Sequence, residues 1–261
     1  SGNIGLGASA LTALTSGTNN IGIGLTAGDA LTTGTDNIAI GRLSASATPD
    51  GADNIAIGRS AFAVSDGVAD NNIAIGLSAM GTGDVAGADS IAIGQSALAA
   101  LTSGYDNVVI GRNAADALLT GFYNIALGHH ALGASTDGEN NIAIGKSALA
   151  VSGNDANNNI AIGLTAMGAS DVSGADNIAM ARTSLDALTT GAANIALGVN
   201  AMGAATTGGY NIALGHTALG GGTLTGADNI ALGQATADAV TSGACNVALG
   251  AGALGATTVG F

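Results

Sequence analysis

Asn37-Ile38-Ala39-Ile40-Gly41 returns, intact or with conservative changes, fifteen times in this 261-residue chain. The copies begin at Asn3, Asn20, Asn37, Asn54, Asn72, Ser90, Asn107, Asn124, Asn141, Asn159, Asn177, Asn194, Asn211, Asn229 and Asn246, always 17 or 18 residues apart. A fixed period this short marks a solenoid, in which each copy is one coil that cannot bury its apolar side alone and is held by the coils above and below. The expected fold is all-β, a parallel β-solenoid (β-roll) of about fifteen coils of 17–18 residues, with 1–261 as one array.

Numbered from its Asn, each coil has Ile or Val at position 2, a small residue at position 3 (Ala in twelve coils) and Ile, Leu or Met at position 4. Period-two alternation predicts a strand there. Position 5 is Gly everywhere except Ala181, which predicts a corner with positive φ or a close backbone approach. A second apolar stretch follows, Ala10-Leu11-Thr12-Ala13-Leu14 in the first coil, and then a Thr-Ser-Gly or Thr-Thr-Gly turn. These predict two short strands and two turns per coil. The Asn column predicts a ladder of side-chain amides bonded from coil to coil, which would also fix the register.

The intervals repeat as 17, 17, 17, 18, 18, so a five-coil superrepeat spans 3–89, recurs over 90–176 and continues in degenerate form over 177–261. Because both ends fall inside a coil, the chain is expected to be a segment of a longer array. Such growth by duplication suits a spacer or fibre better than one catalytic site.

If the bulky aliphatics of positions 2 and 4 fill the coil, position 3 points outward. Ala39, Ala56, Ala74, Ala92, Ala126, Ala143 and Ala161 would then form an apolar stripe larger than a soluble monomer tolerates, and this stripe is the expected interface between copies. The opposite orientation puts Ala in a thin interior and the aliphatic columns against a partner. Self-association follows from either. All five basic residues, Arg42, Arg59, Arg112, Lys146 and Arg182, share position 6 with His129 and His216. Asp36, Asp53, Asp89, Asp106, Asp176 and Asp228 stand just before the Asn (Ser90 in one coil), so edges of opposite sign are expected either to meet across a subunit boundary or to be solvated turns.

Phrases such as Asn37-Ile38-Ala39-Ile40-Gly41 and Asn124-Ile125-Ala126-Leu127-Gly128 resemble the head repeats of trimeric autotransporter adhesins. They look closer still to the Asn-x-Ala-Ile-Gly…Thr-Thr-Gly repeats of phage tail fibres and large surface proteins. The resemblance covers all fifteen coils and implies a left-handed roll, a homotrimer, and an adhesive or structural role on a cell surface or virion. Autotransporter coils are shorter, near fourteen residues, and lack the extra Thr-Thr-Gly turn.

With 44 Gly, one Pro and six aromatic residues, an ordinary globular core is excluded. A net charge of −13 disfavours nucleic acid and anionic lipid, and no apolar run is long enough to insert in a membrane. Neither a phosphate loop nor a nucleophile with its base and orienting acid appears, so neither enzyme activity nor a cofactor is expected. Asp53, Asp176 and Asp228, in Gly-Ala-Asp-Asn phrases, are weak calcium candidates. Tyr105, Phe122 and Tyr123 cluster near one turn, where they serve either as a contact for a glycan or receptor or as cover between turns. The expected function is therefore a self-associating extracellular fibre segment, with an ice-binding solenoid or an end-to-end filament as alternatives.

Overall fold

The computed structural model describes residues 2–46, 48–65, 69–152 and 156–259. Each coil contributes one three-residue strand, and the described residues contain no helix. The chain forms two compact units, the first ending at His130. It carries β1 (Ile4–Leu6), β2 (Ile21–Ile23), β3 (Ile38–Ile40), β4 (Ile55–Ile57), β5 (Ile73–Ile75), β6 (Ile91–Ile93), β7 (Val108–Ile110) and β8 (Ile125–Leu127). The second, from Ala131, carries β9 (Ile142–Ile144), β10 (Ile160–Ile162), β11 (Ile178–Met180), β12 (Ile195–Leu197), β13 (Ile212–Leu214), β14 (Ile230–Leu232) and β15 (Val247–Leu249). Within each unit consecutive strands pair in parallel with like residues opposite: Ala39 faces Ala56 between β3 and β4, and Ala196 faces Ala213 between β12 and β13. The fold is a parallel β-solenoid, as the period requires.

The second apolar stretch is not a strand. Positions 7 and 9 hold left-handed backbone, with φ of 53° at Ser96, 49° at Leu98, 54° at Ser147 and 48° at Leu149. Extended backbone needs negative φ, so a run with every second residue left-handed turns instead. Its N–H groups point alternately to the two neighbouring coils. Ser96 N donates to Leu77 O at 2.9 Å in the coil before, and Leu98 N to Ala114 O at 3.1 Å in the coil after. The backbone groups that a second strand would have paired thus find partners without one.

The orientation of the strand reverses the expected one. Ala39, Ala56, Ala74, Ala92, Ala126, Ala143 and Ala161 are all fully buried, and they line the interior rather than an interface. Position 9, across the coil, supplies the large core side chains, among them Phe62, Met80, Leu98, Leu132, Leu149 and Met167. A 17-residue coil is too thin to hold two bulky layers, so the strand must present its smallest residue inward. The limit is visible at Gly22, where an added Cβ would lie 2.8 Å from Leu11 Cγ.

Two further columns fix the coil. At position 5 the glycines take φ between 103° and 145°, and a Cβ at Gly24 would sit 2.6 Å from the Gly41 carbonyl oxygen of the next coil. Both the positive φ and the close approach therefore require Gly. The asparagines form the expected ladder: Asn37 Nδ2 donates to Asn20 Oδ1 at 3.1 Å and to Gly51 O at 2.6 Å, while Asn54 N donates to Asn37 Oδ1 at 3.0 Å. Each buried amide so joins the coil before, the far turn of its own coil and the coil after.

Candidate interaction surface

With Ala inside, the side chains of positions 2 and 4 face outward. In inner strands they are half-buried by their neighbours, and several are well exposed, including Ile57 at 36%, Ile110 at 41%, Ile125 at 36% and Met180 at 40%. Each unit therefore displays two parallel columns of outward aliphatic side chains on one sheet face. At about 4.8 Å between strands and about 10 Å for three residues, the eight strands of the first unit offer a face on the order of 350 Å². A patch of that size is within the range of the largest apolar patch on an ordinary monomer, which is often functional, and it makes this face the candidate interaction surface.

Charged columns border this face. Arg42, Arg59, Arg112, Lys146 and Arg182 are all exposed, two residues beyond the end of their strands. Arg112 Nη2 lies 2.8 Å from His129 Nε2. A guanidinium can only donate, so this nitrogen of His129 accepts, and the neutral ring carries its proton on the other nitrogen. At the opposite end the residue before each Asn has left-handed φ, 59° at Asp36, 58° at Asp53 and 53° at Asp106. Asn and Asp tolerate that conformation better than other non-glycine residues, which explains much of the acidic column.

The same observation bears on the calcium candidates. Asp53, Asp176 and Asp228 are corner residues with φ of 58°, 62° and 60°, and each is exposed. The structure does not gather them with other ligands: among the described residues no group of three His, Cys, Asp or Glu side chains is placed to hold a metal ion.

Tyr105, Phe122 and Tyr123 do come together. The Tyr105 and Phe122 rings stack at 4.9 Å and 6°, and Tyr123 meets both edge-on at 5.5 and 5.3 Å. They sit where the ladder is interrupted by Ser90. Asn107 N there donates to the shorter Ser90 Oγ at 3.2 Å, and Asn107 Nδ2 donates to Tyr105 O at 3.0 Å. Tyr123 stays 52% exposed.

Sequence reasoning missed one feature of the surface. Asp186, at position 10, is half-buried against the coil before it. Burial raises its carboxyl above the ordinary range, partly offset by backbone N–H donors of Gly168 and Ala169. Its Oδ1 is buried without a hydrogen-bond partner, as are those of Asp29 and Asp238 in the same column. Asp116 also stands at position 10, so four aspartates share the column, each opening an Asp-Ala-Leu or Asp-Ala-Val phrase, and that recurrence was the signal available in the sequence.

Fold and surface together define a β-solenoid repeat protein with one apolar sheet face between two polar edges. No protein-family model matches the chain, and neither does any curated protein.

Proposed function

We propose that this chain is a structural repeat segment of an extracellular or virion-surface fibre that assembles with copies of itself through the outward columns of positions 2 and 4. The supporting observation is the pair of aliphatic columns left uncovered while Ala fills the interior. Burying a side chain of this size contributes about 1.5–3 kcal/mol, so face-to-face contact over many strands offsets the cost of association. Three such faces turned toward a common axis would give the homotrimer that the repeat resemblance implies. The exposed stack of Tyr105, Phe122 and Tyr123 would then be free for a glycan or receptor contact.

Sedimentation or light scattering of the purified chain tests this. A stable mass of three chains is the expected result, a ladder of ever larger species favours an end-to-end filament, and a monomer at all concentrations overturns self-association. The regular repetition of the apolar face also supports an ice-binding solenoid as a second reading. A monomer that gives thermal hysteresis would establish it.

A further inference from the structure

The two polar edges are matched strand by strand. Asp36 stands two residues before β3 and Arg42 two residues after it; the same places flank β4 with Asp53 and Arg59, β7 with Asp106 and Arg112, and β11 with Asp176 and Arg182. Every arginine of the chain is paired with an aspartate in this way. The two remaining aspartates of the column, Asp89 and Asp228, stand before β6 and β14, with Gln95 and Gln234 two residues after those strands, and Lys146, the one other cation of position 6, is paired with Asn140. Both histidines of position 6, His129 and His216, are paired with Tyr123 and Tyr210. Each leucine of position 6 is paired with an asparagine, and the small residues Val199 and Ala251 with the small residues Ala193 and Cys245.

Left-handed φ at the first place accounts for Asn and Asp there, but not for Asp going with Arg, Asn with Leu and Tyr with His. Duplication accounts for two of the repeats, Asn71 with Leu77 recurring as Asn158 with Leu164 and Tyr123 with His129 as Tyr210 with His216; elsewhere both members change, except that Asp89 with Gln95 becomes Asp176 with Arg182. Eighty-seven residues after Asp36 and Arg42 stand Tyr123 and His129, and 87 after Asp106 and Arg112 stand Ala193 and Val199. Residues that change together are in contact. Yet the two places are six residues apart at opposite ends of a strand, on the order of 15–20 Å. Among the described residues no bond joins Asp36 to Arg42, and the partner found for Asp36 is Asn19 Nδ2, at 3.0 Å.

We infer that the contact is made between copies: neighbouring chains lie side by side, parallel and without stagger, so that the Asp end of each strand meets the Arg end of the same strand in the next copy. This rests on the self-association proposed above and specifies its register. With no stagger the six aspartates of the column face four Arg and two Gln; a shift of one strand leaves them one Arg in one direction and two in the other. The interface joins unlike edges, so it is heterologous and not a two-fold pair: it forms a ring where the rotation between copies closes and an open array where it does not. Rim charges of this kind set register and partner choice more than raw affinity.

Paired cysteines test the register, in a Cys245→Ser background. Asp106→Cys with Arg112→Cys places both thiols on β7, too far apart for a bond within one chain, since a disulfide needs Cα atoms within about 7 Å. Cys245 already occupies the Asp106 column with φ of 59°, so the conformation accepts cysteine. Mild oxidation is expected to join separate chains at least tenfold faster than in two staggered controls, Asp106→Cys with His129→Cys and Asp106→Cys with Gln95→Cys. A native chain that assembles, with a control linking as fast or faster, overturns the register and leaves self-association standing. A monomeric native chain overturns both, and a bond within one chain overturns the separation on which the inference depends. As a second readout, reversing Asp36, Asp53 and Asp106 to Arg should weaken assembly at least tenfold at low salt, and also reversing Arg42, Arg59 and Arg112 to Asp should restore it. Full assembly of the first variant overturns the pairing.

Discussion

Asn194 Nδ2 donates to Asn177 Oδ1 of the coil before at 3.0 Å, and the same nitrogen reaches the Gly208 carbonyl across its own coil at 2.9 Å. Its Oδ1 in turn accepts from Asn211 N at 3.0 Å. Asn194→Ala therefore leaves a buried carbonyl and a buried N–H without partners, at about 1–3 kcal/mol each. A lowered thermal midpoint is expected. Asn3, half-buried in the first coil, should cost less when truncated.

The rung at Ser90 predicts the opposite sign. Ser90 Oγ accepts from Asn107 N, while Asn107 Nδ2 bonds to Tyr105 O and, as at other rungs, to the carbonyl across its own coil, Gly121 O. Ser90→Asn should complete the ladder and add about 0.5–1.5 kcal/mol, read as a higher midpoint in urea. No gain would mean that the Tyr105–Phe122 stack already compensates the gap.

Ala181 occupies the corner that is glycine in every other coil, with φ of 110°. A Cβ in that region is strained by about 1–3 kcal/mol. Ala181→Gly should raise the thermal midpoint even though glycine loses more entropy on folding. At Gly111 the reverse change drives a Cβ into the Gly128 carbonyl oxygen of the next coil, and Gly111→Ala should cost more than Ala181→Gly gains.

Two carboxylates titrate in opposite senses. Burial raises Asp186, so its folded form binds a proton more tightly than the unfolded chain does, and stability falls as pH rises from 3.8 through the folded value. Asp186→Asn should stabilise at neutral pH, with the advantage gone below 3.8. The exposed Asp50 accepts from Thr33 Oγ1 at 2.6 Å and Thr32 Oγ1 at 2.9 Å, which lowers its pKa. Its contribution is present above 3.8 and is lost as pH falls through the folded value, so Asp50→Asn should destabilise at neutral pH and converge with the native chain in acid. Thermal melts between neutral pH and pH 3 resolve both signs.

Period and column identity made the strand, the Gly corner and the amide ladder legible, because each needs one residue type at one place in every coil. The facing of Ala39 was not legible from hydropathy, since the layers on both sides of the strand are apolar. Size held the missing signal: position 3 never exceeds Val109, whereas position 4 ranges over Ile, Leu and Met. A volume limit marks the inside. The turns at Leu98 and Leu149 were out of reach, because no local preference places leucine in left-handed backbone.

That size argument yields a paired prediction on β9 and β10. Ala143 is fully buried beneath the strand, so Ala143→Leu forces extra atoms into a thin core and should cost at least the 1–3 kcal/mol typical of overpacking, about the range expected where a core cannot expand. Ile142, Ile144, Ile160 and Ile162 face outward and are only half-buried. Threonine at all four keeps the β-branched shape that strands favour while removing apolar surface. The isolated chain should stay folded with a lowered midpoint, because the four side chains are half-buried, and association should weaken at least tenfold by sedimentation. Should the four-threonine variant assemble like the native chain, the outward aliphatic columns are not the interface; should Ala143→Leu melt like the native chain, the strand does not face as described.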